Sequence, residues 1–289
     1  MTDASADLPL HSLVESSQVS VIPMNIFIDG KTYIYGPEGN LLNREFYELQ
    51  KCAVSVSTSQ ISPNMYQKYF ERELQKGKDI LYIGVSSALS ASYHNAEIAA
   101  DLLKKQYPQR NIRCVDSLTA SVGQGLLVLE AIKRQTNGAT LEQVSEWILM
   151  QRSSVCTWFS VDHLVYLVRG GRVSVTAASL GKLFDCKSIL QIASNGSLEL
   201  TEKMSGRRRI SKLLLKKVEA YSNFQINPAM LIGTTSDFKQ NQQFVELIRE
   251  SFTQTKPHIV AVGPITGCHT GPGMLGLAFL GNNVQQSHN

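Results

Sequence analysis

The sequence predicts an α/β protein made of two α/β domains, the first with a mainly parallel sheet and the second with a mixed one. Three observations carry this. A chain of 289 residues, at about 150 residues per domain, has room for two cores. Short apolar runs alternate with longer helical patterns through the first half, as repeated β-α units do. In the second half, two strand-like runs flank Asn195-Gly196, the strongest hairpin signal in the chain. The boundary is placed near residue 155, giving domains 1–155 and 156–289.

Val19 to Ile28 reads as a strand broken by Pro23, with a turn at Gly30 and a partner at Thr32 to Tyr35. Pro63 to Lys76 is helical, with the proline suited to the first turn and Gly77 as the stop. Asp79 to Val85 is a buried strand, and it feeds Ser86-Ser87-Ala88-Leu89-Ser90 and a helix to about Tyr107. Asn111 to Asp116 is a strand and Thr119 to Gln135 a helix, where Gly123 and Gly125 signal close packing or a bend. Thr140 and Gln143 form a capping box for a helix to about Arg152, before a strand over Val155 to Val161.

The second domain opens with a short helix over Asp162 to Val168, stopped by Gly170-Gly171, and a helix over Val175 to Phe184. The hairpin Ser188–Ala193 and Ser197–Met204 turns through two residues, Asn195-Gly196. Helix, strand, helix and strand follow at about 208–222, 229–235, 238–254 and 258–265. Gly267-Cys268-His269-Thr270-Gly271-Pro272-Gly273 has neither helical nor strand periodicity and reads as a fixed loop. The Val284 to Asn289 tail reads as disordered.

Composition excludes several classes. Apolar residues make up 43% and charged residues 18%, which is globular and not disordered. No apolar run approaches a membrane span, and the acidic start, Met1 to Asp7, lacks the pattern of a signal peptide, so a cytoplasmic protein is expected. The five cysteines show no C-x-x-C, so neither a metal site nor disulfides are expected. Seven of the basic residues lie between Lys203 and Lys217, without an acid among them. The rest of the chain is net acidic, so the basic character is one stripe. It reads as a solvated helix face, with nucleic acid or a membrane surface as the other possible contact.

Ligands of open α/β sheets bind beyond the carboxyl ends of strands. Three polar places lie there: Thr58-Ser59-Gln60, Ser86 to Ser90, and His269. Ser90 is expected at a helix start, where free N–H groups favour a carboxylate or phosphate. Read alone, Ser90 is equally a cap, Thr58 a turn residue and His269 a packed histidine. Arg172, after Gly170-Gly171, suits either surface charge or anion recognition and partner docking. Gly84-Val85-Ser86-Ser87-Ala88 is one glycine short of a nucleophile elbow, so a serine hydrolase using Ser86 or Ser90 with His269, and Asp237 as third member, is the alternative reading. Phosphate-loop motifs are absent.

In order along the chain, Thr2-Asp3-Ala4-Ser5-Ala6-Asp7-Leu8, Thr58-Ser59-Gln60-Ile61-Ser62-Pro63, Ser86-Ser87-Ala88-Leu89-Ser90, Val115-Asp116-Ser117, Gly170-Gly171-Arg172-Val173-Ser174 and the segment Gly267 to Gly273 resemble the DegV family of bacterial fatty-acid-binding proteins. The resemblance implies a long-chain fatty acid in a buried tunnel, its carboxylate bound by Thr58 and Ser90 with His269 close by, and Arg172 at the head group or the kinase-facing surface. It further implies a separate ATP-dependent, dihydroxyacetone-kinase-like fatty acid kinase as partner, making acyl phosphate for phospholipid synthesis. The chain itself would then be a lipid-binding subunit without catalytic residues, metal or cofactor, with no nucleic-acid partner and no stable membrane insertion, and monomeric by default.

Two departures from the family pattern are visible: no apolar strand precedes Thr2, and Ala91 stands where the family commonly has glycine. Energetically, an acyl tail of about sixteen carbons buries on the order of 12 kcal/mol gross, whereas each hydrogen bond to the carboxylate adds about 1.5–3 kcal/mol. Retention belongs to the tail and orientation to the head. The apolar residues of the helices Val122 to Ile132 and Ala177 to Phe184 are the candidate tunnel walls, with core packing the first reading for any single one of them.

Overall fold

The computed structural model describes residues 1–9, 19–173, 187–204, 206–235 and 238–281. In the first half β1 (Thr2–Asp3) runs parallel to β2 (Val21–Ile22). After Pro23 the chain continues as β3 (Met24–Ile28), the middle of an antiparallel trio with β4 (Lys31–Tyr35) and β5 (Val56–Thr58). A second parallel pair joins β6 (Ile80–Gly84) to β7 (Ile112–Asp116), and Ile83 N–H donates to Met1 O at 3.0 Å, tying β1 to β6. The two-residue β1 thus joins β2 on one side and β6 on the other.

Between these strands lie α1 (Asn43–Cys52), α2 (Pro63–Leu74), α3 (Ser92–Gln106), α4 (Val122–Thr136) and α5 (Leu141–Gln151). Pro63 occupies the first turn of α2 behind the Ser62 cap, and the Thr140–Gln143 capping box opens α5, both as expected. Helix α1 was not anticipated; its apolar face is only Phe46 and Tyr47 with Gln50, too short a pattern to stand out. The glycines of α4 allow close packing, not a bend: a methyl group at Gly123 would collide with the Thr119 and Thr157 hydroxyls, and one at Gly125 with the Asp7 carbonyl.

The second half is built on a six-stranded mixed sheet. Its strands are β8 (Val155–Val161), β9 (Lys187–Ile192), β10 (Leu198–Met204), β11 (Met230–Thr234), β12 (His258–Ala261) and β13 (Leu275–Leu280), in the order β10-β9-β8-β13-β11-β12 with only β11 and β12 parallel. Its helices are α6 (Val165–Arg169), α7 (Arg207–Tyr221), α8 (Phe238–Ser251) and α9 (Pro264–Thr270). Ile210, Leu214 and Val218 of α7 bury a single stripe, and Trp158 stacks on Tyr221 at 5.2 Å.

Three expectations are corrected here. The strand expected over 258–265 ends at Ala261, and Gly263-Pro264 start α9, since proline is placed at a helix start and cannot donate to a ladder. The supposed loop around His269 is therefore mostly helix. Strand β13 was missed altogether, although it lies between β8 and β11; a strand buried on both faces is a plain apolar run without alternation. The hairpin loop has three residues, Ser194 to Gly196: Gly196 N–H donates to Ala193 O at 2.8 Å, and Gly196 takes φ 83° before the ladder resumes at Ser197. The helix expected over Val175 to Phe184, Asp237 and the Val284 to Asn289 tail lie outside the described residues.

Candidate functional site

Residues from both halves line one cavity, with about 790 Å³ of empty space including its mouth. Its apolar walls include Met24, Val122, Phe159, Leu167, Ile192 and Leu198. Thr58, Ser90, Arg172 and His269 all line it as well. The four residues singled out from the sequence, scattered over more than two hundred positions, meet at one place. Of the expected wall on α4, only Val122 reaches the cavity, while Leu126 and Leu127 are core; Ala177 to Phe184 lies outside the described residues.

Thr58 ends β5, and its Oγ1 lies 2.9 Å from Nε2 of His269 on α9. Burial, reinforced by the positive charge of Arg172, lowers the His269 pKa to about 4. The ring is thus neutral near pH 7 and carries one N–H. With that proton on Nε2, His269 donates to Thr58 and frees the Thr58 hydroxyl proton for a cavity ligand. The other nitrogen, Nδ1, is buried without a hydrogen-bond partner, pressed against Gly170, where a methyl group would collide with it. That contact explains one glycine of the pair; Gly171, at φ 69°, supplies the turn. Arg172 then crosses back, donating from Nε to Leu89 O at 3.2 Å and from Nη1 to Gly170 O. It is half-buried beside the Ser90 loop and is not a free surface charge.

Ser90 does not begin a helix as expected. Helix α3 starts at Ser92 with Ala91 as its N-cap, at φ −73°, so the backbone there does not require glycine. The Ser90 hydroxyl donates to Ser92 Oγ at 3.0 Å and accepts from Ser92 N–H at 3.2 Å. Ser86 is fully buried, accepts from Ala88 N–H at 3.2 Å and is covered by the Gly196 backbone. Among the described residues no hydrogen bond joins His269 to Ser86 or Ser90, so the nucleophile pairing that a hydrolase needs is not formed.

Sequence reasoning passed over the wall behind this corner. Asp7 is buried, accepts Gly263 N–H at 2.6 Å at the start of α9, and takes the Ser121 hydroxyl as well. Desolvation raises its pKa to about 7, against the opposing effect of these donors and of Thr266. Ser121 is held at φ 55° and ψ −124° to make that contact. Tyr47 and Gln50 of α1 brace α9 from outside, donating to Val262 O and Gly267 O at 2.9 Å each. In the sequence Asp3 and Asp7 stand only as part of the acidic start and of the segment Thr2 to Leu8 that resembles the family, with no role assigned to either.

The basic stripe is partly spent inside the molecule: Arg207 donates to Gly273 O at 2.9 Å and faces Asp162 at 3.9 Å, while Lys217 meets Glu202 at 3.5 Å. Among the described residues no helix is long and apolar enough to cross a membrane, and no group of three or more potential metal ligands occurs.

A family model described as "uncharacterised protein, DegV family" matches residues 1–282. A DegV domain-containing protein of Clostridium perfringens is 32% identical, over 98% of this chain and 97% of its own. Among solved structures, a DegV family protein from Thermus thermophilus, described for its fatty acid binding, superposes with a TM-score of 0.84 at 26% identity, covering 97% of this chain and 98% of that one. The fatty acid kinase B3 protein of Streptococcus pneumoniae, solved loaded with linoleic acid, has a TM-score of 0.83 at 20% identity, with 97% and 98% covered; that likeness is one of fold.

Proposed function

The chain belongs to the DegV family, and from that premise we propose that it binds a long-chain fatty acid in the cavity, with the carboxylate at Thr58, Ser90 and His269. The observation that carries this reading is the convergence of these three side chains, with Arg172, at one corner of an otherwise largely apolar cavity. In it, Thr58 gives its proton to one carboxylate oxygen while His269 Nε2–H holds the Thr58 oxygen. Ser90 serves the second oxygen. Arg172 contributes positive charge near the mouth while its position is fixed by Leu89 O and Gly170 O.

The finer step is presentation of that carboxylate to a separate ATP-dependent fatty acid kinase, which makes the acyl phosphate. It follows from the family resemblance, and the chain then acts in the cytoplasm as a lipid-binding subunit, not as an enzyme. We place the division of labour at residue 155/156: Thr58 and Ser90 come from the first domain, and Arg172 and His269 from the second. Native mass spectrometry before and after organic-solvent extraction tests the binding step; the expected result is a released mass matching a long-chain fatty acid. A protein that neither carries nor takes up such an acid overturns it. For the kinase step, Arg172→Ala is expected to depress acyl phosphate formation across a titration of the binding protein, and equal turnover by the two proteins would rule that docking role out.

A further inference from the structure

A second cavity abuts the first. It has about 900 Å³ of empty space including its open side, and is lined by Arg152 and Ser153, just ahead of β8, and by Ala193 and Ser194, just past β9. Among the described residues the two linings have only Thr157 of β8 and Ile192 of β9 in common. Those strands are neighbours, and Trp158 opposite Gln191 is the end pair of their ladder, so Thr157 and Ile192 stand side by side as a partition one side chain thick. None of Thr58, Ser90, Arg172 and His269 borders the second cavity. The partition therefore lies away from the head-group corner.

The two members of the partition differ in freedom. Thr157 is buried, its hydroxyl lies 3.1 Å from that of Thr119, and it is pressed against Gly123, where a methyl group would collide with it. Ile192 is half-buried at the last position of β9 and has a cavity on either side. Its cross-strand partner Leu198 lines the first cavity alone. The polar groups of the second cavity are already paired: Arg152 Nη1 donates to Asp116 O at 2.8 Å, Trp158 Nε1 to Gln191 Oε1 at 3.2 Å, and Gln191 Nε2 to Glu199 Oε2 at 2.9 Å. A hydrocarbon chain entering there would cover these bonds without breaking them. What keeps it out is the bulk of Ile192.

We propose that Ile192 is a specificity-determining residue: its side chain is the stop for the tail end of the acyl chain and sets the greatest length of acid that the cavity takes. This rests on the reading that the cavity holds a fatty acid with its carboxylate at Thr58. Each further methylene buried tightens binding about four-fold, so affinity climbs with length for as long as the tail finds cover. A chain that has reached Ile192 gains nothing from another carbon, because it must buckle or push its carboxylate off Thr58. Cutting Ile192 back to its Cβ joins the two cavities, and added length is rewarded again.

Delipidated wild type, Ile192→Ala and Leu198→Ala are each offered an equimolar mixture of myristate and arachidate. The bound acids are extracted and quantified by mass spectrometry, with folding checked by near-UV circular dichroism. Leu198→Ala is the matched control, since it removes as many carbon atoms from the first cavity, directly across the strand pair, without touching the partition. Ile192→Ala is expected to raise the bound arachidate-to-myristate ratio about ten-fold over wild type, and Leu198→Ala to raise it far less. Adding Ser153→Leu, which fills the second cavity, should cancel the gain. Ile192→Val should shift the ratio the same way by a smaller amount, and carries the test if the alanine variant does not fold. An unchanged ratio in the folded Ile192 variants, an equal gain in Leu198→Ala, or a gain that survives Ser153→Leu overturns the stop while leaving fatty acid binding in place. Wild type that takes up neither acid overturns the underlying reading of the cavity, and this inference with it.

Discussion

At the N-terminal end of α9, Gly263 N–H and the Ser121 hydroxyl both converge on Asp7. At the C-terminal end of the same helix, His269 spends one nitrogen on Thr58 and leaves the other without a partner. Both ends carry a buried titratable side chain whose neutral form burial favours, yet one end is saturated and the other is not. The difference separates two tasks within seven residues. The saturated end holds the helix in place; the other end turns Thr58 and His269 to the cavity, while the unpartnered Nδ1 faces Gly170 and not a ligand.

The contrast is most directly broken at Asp7. Asp7→Ala leaves the Gly263 N–H and the Ser121 hydroxyl buried and unpaired, and is expected to lower unfolding free energy by about 3 kcal/mol in chemical denaturation, with Asp7→Asn costing less. A loss no larger than that of a surface substitution would mean the N-terminal end is not what fixes α9. At the other end the order reverses: Thr58→Ala is expected to change stability by under about 1 kcal/mol but to weaken myristate binding by about ten-fold, read by isothermal titration calorimetry. Tail burial still retains some ligand.

Acidity sharpens the comparison further, because the two ends push stability in opposite directions. Asp7 has its folded pKa raised from 3.8 to about 7, so its contribution is fully present below 3.8 and is lost as pH rises toward 7. His269 has its folded pKa lowered from 6.5 to about 4; its contribution is complete above 6.5 and is lost as pH falls toward 4. Between about pH 4 and 6.5 the two slopes oppose each other. Relative to wild type, Asp7→Asn should therefore gain stability with rising pH across that window, and His269→Gln should lose it. Parallel pH profiles for all three proteins would show that neither group titrates as its burial requires. The smallest effect is expected at the outer brace. Gln50→Ala removes one bond to Gly267 O, but the Gln50 Oε1 it also removes is unpartnered, so the loss should stay near 0.5–1 kcal/mol in the same denaturation assay.

Much of this molecule is legible before folding. Alternating apolar runs, Pro63, the Thr140–Gln143 box and the hairpin signal locate most elements to within a few residues, because each is a local preference. Thr58, Ser90, Arg172 and His269 also stand out in the sequence, since glycines and hydroxyls at strand ends leave a local mark, and the structure brings them to one cavity. What escaped depends on distant partners. The sequence Leu275 to Leu280 becomes a strand because β8 and β11 leave a gap of its width. Asp3 and Asp7 have no role legible in the sequence until Tyr82, Gln124, Ser121 and Gly263 are brought around them from elsewhere in the chain. Helix α9 hides for a related reason: its seven residues include a proline and a glycine, and its hold comes from Asp7, Tyr47 and Gln50.

The position of β13 bears on how the protein is made. Synthesis proceeds from the N-terminus, and domains begin to fold as they emerge. Strands β8 and β11 leave the ribosome well before Leu275 to Leu280, and until those residues arrive each has an open edge facing the other across an unfilled gap. Such edges invite pairing with another chain. For a nascent polypeptide this places the period of greatest risk late, when most of the sequence is out and the strand that closes the sheet is not, and it makes that final stretch the natural point for chaperone protection.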